Sequence, residues 1–267
     1  MKSTTKPFRY IAISDIHLGH RINPAFRIIQ NMQKTIEPLA KQGLDAIFIV
    51  GDLFDRLLDN SMEANSDSYM FMTWILKLCE RHSIKLRVLE GTKSHDRYQS
   101  KYFEVLHKAL QSQTDLKYIP YLHIEYMADF DLTVLYIPDE WRESTDQTYQ
   151  EVLALLKENG LTQVDLAFMH GQFEYQLKNI PGHIPKHNEA NYLSIVRYYI
   201  HIGHIHIASE FERIVAQGSF DRLAHGEEGN KGFVYAIISP DDCRYEFIVN
   251  YDAMVFKTIS VESSSFD

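Results

Sequence analysis

The chain has 267 residues and a mass of 31.2 kDa, with 27 basic against 36 acidic side chains and therefore a net charge of −9. Its 45% hydrophobic and 24% charged residues exclude disorder as the main state. The two cysteines, Cys79 and Cys243, lie far apart and exclude a disulfide scaffold or a zinc finger. The acidic balance argues against general adhesion to nucleic acids, but it allows a groove charged locally by metal ions.

Targeting and membrane signals are weak. The basic N-terminal stretch has no apolar core of the length that a secretory signal needs. Apolar runs such as Ala46–Val50 are too short to cross a bilayer. We therefore expect a cytoplasmic protein with no membrane partner.

Strand and helix patterns alternate along the first two hundred residues. Strands are predicted at 9–14, 45–50, 84–90, 164–169 and 198–202, with a hairpin within 117–137 around residues 128–131. Helices are predicted from Pro24 to Gly43 and at 67–82, 98–110 and 145–159. After residue 200, segments at 207–215, 232–238, 244–249 and 254–261 predict a second, antiparallel-rich sheet. The alternation indicates an α/β fold with mostly parallel pairing in its first half.

A polar cluster follows each of the main predicted strands. The clusters are Asp15-Ile16-His17, Gly51-Asp52 with Asp55, Ser94-His95-Asp96, His170-Gly171 and Gly203-His204-Ile205-His206. In open α/β sheets, ligands bind beyond the carboxyl ends of the strands, so these side chains are expected to meet at one edge.

The clusters supply carboxylate and imidazole groups, which are ligands for Mn²⁺, Fe²⁺ or Zn²⁺. The i, i+2 spacing of Asp15 with His17, and of His204 with His206, places each pair on one face if the chain is extended there. Each motif alone is more often a turn or an ordinary surface pair. Five such motifs, all at strand ends, predict a two-metal site that can bind a phosphate and activate water.

The ordered pattern D-x-H…G-D…H-D…H-G…G-H-x-H, over about residues 9–206, resembles the calcineurin-like metallophosphoesterases. The blocks 14–19, 51–55, 203–206, 217–222, 226–228 and 231–233 resemble the SbcD branch, which includes the meiotic-recombination-eleven nuclease subunits. The resemblance implies a four-layer α/β/β/α sandwich of two mixed sheets flanked by helices. It also implies a nuclease domain over 1–240, with 241–267 as C-terminal strands and a tail, the remnant or start of a capping region.

The resemblance implies a role for each matching residue. Asp15, His17 and His206 would hold one divalent ion, Asp52 would bridge both ions, and His170 and His204 would complete the second site. The expected metal is Mn²⁺, with Mg²⁺, Fe²⁺ and Zn²⁺ as alternatives. His95 would act on the scissile phosphate, and Asp96 would either orient His95 or cap a helix. Further substrate contacts are expected from His20, Asp55 and Lys93.

One stretch departs from the family pattern. The family has Gly-Asn-His-Asp, whereas this chain has Gly91-Thr92-Lys93-Ser94-His95-Asp96, with two additional residues and no Asn. Alignment on His-Asp places Ser94 at the Asn position, and alignment on Gly places Thr92 there. We assign Ser94 as the ligand and leave Thr92 as the alternative. A hydroxyl is a weaker ligand than an amide oxygen, so the second metal is expected to be loosely held.

The resemblance implies two-metal hydrolysis of DNA, by exonuclease or endonuclease action, within an SbcCD-like repair or recombination complex. The implied partners are DNA, an SbcC-type coiled-coil ATPase and a second copy of the chain. The helices at 67–82 and 98–110 carry apolar side chains that serve either the core or this homodimer. A nucleotide or small-molecule phosphodiesterase and a catalytically weak scaffold subunit are the alternatives.

Overall fold

The computed structural model describes residues 6–58, 62–139, 142–177, 184–239 and 241–260. Its strands are β1 (Phe8–Ile13), β2 (Ala46–Val50), β3 (Lys85–Leu89), β4 (Leu116–Ile119), β5 (His123–Met127), β6 (Leu132–Ile137), β7 (Val164–His170), β8 (Val196–Gly203), β9 (Ser209–Phe211), β10 (Ile214–Ala216), β11 (Gly232–Ile238) and β12 (Cys243–Val249). Its α-helices are α1 (Ala25–Lys41), α2 (Met62–His82), α3 (Tyr102–Ala109), α4 (Thr145–Glu158) and α5 (Glu189–Ile195).

The strands form two six-stranded mixed sheets. The first has the order β12-β11-β1-β2-β3-β4, and the second has the order β5-β6-β7-β8-β10-β9. β1 to β4 are parallel to one another, as are β6, β7, β8 and β10. The carboxyl ends of these parallel strands therefore gather at one edge of each sheet.

The alternation of side chains along the strands builds the layers. In β1, Ile11 and Ile13 face α1 and α2, whereas Tyr10 and Ala12 face the second sheet. The outer face of the second sheet packs against α4 and α5 through residues such as Val152. Because each sheet is apolar on both faces, the stable arrangement is helix, sheet, sheet, helix. The predicted four-layer α/β/β/α fold class is confirmed.

Local sequence signals explain the helix ends. Pro24 precedes the first residue of α1, where its missing N–H costs nothing, and Gly43 follows the end of the helix with φ of 99°. α4 begins after Ser144, whose hydroxyl accepts a hydrogen bond from the backbone N–H of Gln147 at 3.2 Å. Within the described ranges, no helix is both long and apolar enough to cross a membrane.

The prediction that the segments after residue 200 form the second sheet is wrong in part. The second sheet starts at β5, in the predicted hairpin, and β11 and β12 belong to the first sheet. Strand patterns do not reveal which sheet a strand joins, because both sheets bury both faces. Residues 254–260 form no strand. The domain boundary near residue 240 remains a prediction, although β12 pairs with β11 along its full length.

Candidate metal centre

The loops after β1 and β2 are joined by backbone hydrogen bonds. The N–H of Asp15 donates to the carbonyl of Gly51 at 3.1 Å, and the N–H of Leu18 donates to Leu53 at 2.8 Å. The N–H of Asp55 returns a bond to Leu18 at 3.0 Å. These bonds fix the carboxylates of two neighbouring strand ends relative to each other.

A first cluster consists of Asp15, His17 and His206, with one ligand atom from each lying within 4.8 Å of the others. The Nε2 atoms of His17 and His206 are 3.2 Å apart, and Asp15 Oδ1 lies 3.9 Å from His206 Nε2. Asp15 and His17 are buried, and His206 is partly exposed. The sequence brings these three residues together as expected.

A second cluster consists of Asp52, His170 and His204. Asp52 Oδ1 lies 3.2 Å from His170 Nε2. The hydroxyl oxygen of Thr92 lies 3.1 Å from Asp52 Oδ2, 3.2 Å from His170 Nε2 and 3.3 Å from His204 Nδ1. Thr92 therefore sits at the centre of the second cluster.

A third group, His17, Asp55 and His95, adjoins the first cluster through the shared His17. Asp55 Oδ1 lies 3.5 Å from His17 Nδ1, so this carboxylate faces a candidate metal ligand. His95 Nδ1 lies 2.5 Å from the backbone carbonyl of Asp55. A carbonyl oxygen can only accept a hydrogen bond, so Nδ1 of His95 carries a proton. Nε2 is then the nitrogen that can exchange a proton with a substrate.

Two of the candidate ligand histidines, His170 and His206, have their outer nitrogen bound by an acceptor. His170 Nδ1 donates to the carbonyl of Val50 at 2.8 Å, and His206 Nδ1 donates to Glu227 Oε1 at 2.9 Å. Each bond holds Nδ1 at the outer acceptor and directs Nε2 into its cluster, where a metal ion would replace any proton on Nε2; this is the arrangement of metal-binding histidines.

In the second cluster, the Asp52 carboxylate produces a negative potential at His170. Burial by itself lowers the pKa of His170, but the adjacent Asp52 carboxylate outweighs it and raises that pKa to about 10. Burial, and then repulsion from His170, lowers the pKa of His204 to about 4. Burial opposes ionisation of Asp52, yet His170 and then His17 and His95 hold its pKa well below the usual range. A cation would satisfy this potential.

The backbone at the site is held in unusual conformations. Asp15 and His17 have φ of 51°, and Asp52 has φ of 49°. His204 has φ of 104°, and it joins the second cluster, whereas His206 joins the first. The expectation that each i, i+2 pair lies on one extended face is therefore wrong for His204 and His206. Left-handed non-glycine residues are costly and are typical of functional sites.

Gly51 allows the second cluster to close. Its φ is 80°, and a Cβ placed on it would lie 2.1 Å from His170 Nδ1. No other residue fits between β2 and the imidazole, so the glycine of the Gly-Asp motif has a packing function as well as a turn function.

The predicted roles of Ser94 and Asp96 need correction. Ser94 is exposed, and Thr92 occupies the position beside the second cluster, so the alignment on Gly91 is the right one. Asp96 is fully buried and accepts hydrogen bonds from the N–H groups of Phe54 (2.9 Å) and Gly91 (2.8 Å). It joins two loops, and the carbonyl of Asp55, rather than Asp96, orients His95.

The predicted substrate residues lie on the loops that carry the candidate ligands and His95. His20 is half-buried; burial lowers its pKa, against the opposing effect of the nearby Asp55. Lys93 is exposed on the loop that carries His95. Their contacts with substrate remain predictions.

Sequence reasoning did not assign Glu227 to the site. Its carboxylate binds His206 through Oε1 and the buried Lys231 Nζ through Oε2, at 2.8 Å. Lys231 Nζ also donates to the carbonyl of His206 at 2.7 Å. The carboxylate stood in the 226–228 block, but twenty residues separate Glu227 from His206 and the sequence gave no distance between them.

The donors fit divalent cations. The Nε2 lone pair of His206 faces Nε2 of His17 at 3.2 Å, and the buried Nδ1 of His17 has no hydrogen-bond partner among the described residues. Two facing lone pairs repel each other unless a cation or a proton lies between them. Carboxylate and imidazole ligands suit Mn²⁺, Fe²⁺ and Zn²⁺.

Comparison with solved structures places this geometry in a known fold. A dimetal phosphatase from Danio rerio is similar to the chain with a TM-score of 0.56 and 12% identity, covering 91% of this chain and 96% of that chain. The GAP50 anchor of the inner membrane complex of Plasmodium is similar with a TM-score of 0.54 and 13% identity, covering 96% and 88%. No family model and no curated protein matches the sequence. At this identity the likeness shows the fold.

Proposed function

We propose that the protein is a metal-dependent phosphoester hydrolase of the calcineurin-like superfamily. One observation carries the proposal. His170 and His206 are each held by an acceptor on Nδ1 and direct Nε2 toward a buried carboxylate, in two adjoining clusters. This is the architecture of a two-metal centre.

The protein's residues would divide the work. Asp15, His17 and His206 would hold one ion and His170 and His204 the other, with Asp52 between them. The two ions would neutralise phosphate charge and lower the pKa of a bound water. When protonated on both nitrogens, His95 would keep Nδ1–H on the carbonyl of Asp55 and donate its Nε2 proton to the leaving oxygen.

DNA is the proposed substrate, with Mn²⁺ as the metal. The sequence blocks of the SbcD branch support this choice. So do three exposed basic side chains on the loops that carry Asp55 and His95, in a chain with an overall charge of −9; they are Arg56, Lys93 and Arg97. A positive rim around an acidic site is suited to a polyanion.

Self-association and an SbcC-type ATPase partner belong to the same proposal. A groove of about 740 Å³ lies between α1 and α2, and Phe26 and Met70, both about half-exposed, line it. Exposed apolar surface of this kind favours a protein partner. Phe26→Glu should dissociate a dimer in sedimentation experiments, and an unchanged mass would contradict the role of the groove.

Cleavage of end-labelled linear and circular DNA in Mn²⁺ tests the function. Cleavage that is lost in His95→Ala and on chelation would support a metal nuclease, and the ratio of linear to circular cleavage would give its mode. Hydrolysis of small phosphodiesters without DNA cleavage would favour a nucleotide or small-molecule phosphodiesterase.

The scaffold alternative also has a specific observation behind it. Thr92 replaces the Asn of the family pattern in the second cluster, and a hydroxyl is a weaker ligand. One protein of this fold, GAP50, is described as an anchor, so the fold does not decide between enzyme and scaffold. Absence of hydrolysis for every substrate at millimolar Mn²⁺ would favour the scaffold.

A further inference from the structure

Arg222 joins two segments of the chain through backbone carbonyls. Its Nε donates to the carbonyl of Glu227 and one terminal nitrogen donates to that of Gly229, both at 3.0 Å. Its other terminal nitrogen donates to the carbonyl of Met254, also at 3.0 Å. The planar guanidinium therefore connects the loop before β11 to the segment after β12.

The residues on either side of Arg222 strengthen this connection. Asp221 is buried, and its Oδ1 accepts hydrogen bonds from the N–H of Arg222 at 2.7 Å and of Met254 at 2.6 Å. Asn250 Nδ2 donates to the carbonyl of Phe220 at 3.1 Å. The segment 250–254 is thus bound to residues 220–222 at both of its ends.

The same segment is anchored to the first helical layer. The carbonyl of Asp252 accepts from Arg27 at 2.9 Å and from Asn31 at 3.2 Å, and its carboxylate pairs with Lys34. All three partners belong to α1. Residues 250–254 therefore lie between α1 and the loop before β11.

Glu227 links this assembly to the candidate metal centre. Its backbone carbonyl is held by Arg222, while its side chain accepts from His206 Nδ1 at 2.9 Å. The two glycines beside Glu227 face open space, since a Cβ on Gly226 or on Gly229 would meet nothing within 4 Å. The Glu227 carboxylate is held directly by Lys231 at 2.8 Å and by the N–H of Leu223 at 3.2 Å, both on Oε2, while Arg222 holds the backbone from which that side chain extends.

We propose that Arg222 is a positioning residue: it fixes the backbone of Glu227 and thereby the orientation of His206 in the first cluster. This inference rests on the proposed metal centre. Partners that orient a ligating histidine typically contribute about 10–100-fold to metal affinity. Arg222 acts through one intermediate residue, so the lower end of that range is expected for it.

Calorimetric titration with Mn²⁺ tests the proposal without relying on catalysis. In Arg222→Gln, one of two Mn²⁺ ions should bind about tenfold more weakly while the other is unchanged. Glu227→Gln should weaken the same ion at least as much. The double variant should be no weaker than Glu227→Gln alone, because both substitutions remove one coupled function.

Arg213 provides a matched control. Its guanidinium also donates to backbone carbonyls, those of Leu193 (2.6 Å) and Val196 (3.3 Å), but in the second sheet layer. Arg213→Gln removes a comparable set of hydrogen bonds and should leave both Mn²⁺ affinities unchanged.

Arg222→Lys is the conservative variant, because it retains the charge and one hydrogen-bond donor. If Arg222→Gln does not fold, Arg222→Lys should still show an intermediate loss of affinity at the same ion.

The outcomes separate this inference from the proposed function. Wild-type protein that binds no Mn²⁺ would overturn the proposed function and the inference with it. Wild-type protein that binds two ions, together with unchanged affinities in Arg222→Gln or Arg222→Lys, would overturn the inference alone. Additive losses in the double variant would also overturn it, because Arg222 would then act independently of Glu227.

Discussion

Thr92 places its hydroxyl oxygen 3.1 Å from Asp52 Oδ2, while its N–H donates to Oδ1 of the same carboxylate at 2.6 Å. One residue thus contacts both oxygens of the proposed bridging ligand. The same hydroxyl lies within 3.3 Å of His170 and His204. Thr92 therefore occupies the place at which the family pattern has an amide.

Thr92→Asn should tighten the second metal. An amide oxygen is a better ligand than a neutral hydroxyl, so the Mn²⁺ concentration for half-maximal hydrolysis should fall, on the order of tenfold. Thr92→Val keeps the shape and removes the oxygen, so it should raise that concentration. Equal Mn²⁺ dependence in both variants and the wild type would show that Thr92 is not a ligand.

His95→Gln should lower kcat for phosphodiesters by about 10²–10⁴-fold, because the imidazole would no longer supply a proton to the leaving oxygen. Its Mn²⁺ stoichiometry should stay at the wild-type value. Asp96→Asn is the comparison, since Asp96 accepts only backbone N–H groups among the contacts described. Asp96→Asn should lower the unfolding temperature and leave kcat at full metal occupancy close to the wild-type value. A large loss of kcat with an unchanged unfolding temperature would identify Asp96 as the residue that orients His95.

The residues themselves predicted most strand positions and the gathering of the candidate ligands, for physical reasons, whereas the four-layer arrangement was implied by the family resemblance. Buried strands are short and β-branched, so strands such as Ala46–Val50 stand out, and parallel strands place their carboxyl ends together. Spacing could not show that His204 and His206 separate into two clusters, because that depends on a φ of 104° at His204. The partnership of Glu227 with His206 depends on loop closure, which no local pattern encodes.

Metal removal should lower stability as well as activity. The clusters bring buried carboxylates such as Asp15 and Asp52 together with imidazoles, and a cation bound only in the folded state stabilises that state by mass action. At a Mn²⁺ concentration of 100 times the dissociation constant, each site should add about 2.7 kcal/mol to the free energy of unfolding. Thermal unfolding in Mn²⁺ and in a chelator measures this. Identical midpoints would contradict a metal centre, and His206→Asn should reduce the difference.

Arg87 and Glu125 form a buried ion pair between the two sheets. Arg87 Nε and a terminal nitrogen donate to Glu125 Oε2 and Oε1 at 2.8 and 2.7 Å, and both residues are at most 5% exposed. Tyr136 and Lys117 also donate to this carboxylate. Glu125→Gln should cost about 3 kcal/mol of unfolding free energy, the lower end for a broken buried pair, because the buried Arg87 would keep only the half-exposed Asp115, at 2.9 Å, as a charged partner. Replacing both residues by leucine should cost much less.

The pair of Arg87 and Glu125 should make the stability of the protein depend on pH. Burial tends to raise the pKa of Glu125, but hydrogen bonds from Arg87, then its charge and those from Lys117 and Tyr136, outweigh burial and lower it. The ionised carboxylate therefore contributes fully to the free energy of unfolding above the ordinary glutamate pKa of about 4.3. This contribution is lost as the pH falls through the lower pKa of the folded protein. Urea unfolding from pH 7 to pH 3 should show that the difference in free energy of unfolding between wild type and Glu125→Gln becomes smaller in acid. A constant difference would mean that Glu125 has the same pKa in the folded and unfolded protein, because stability depends on pH only where the two states bind different numbers of protons.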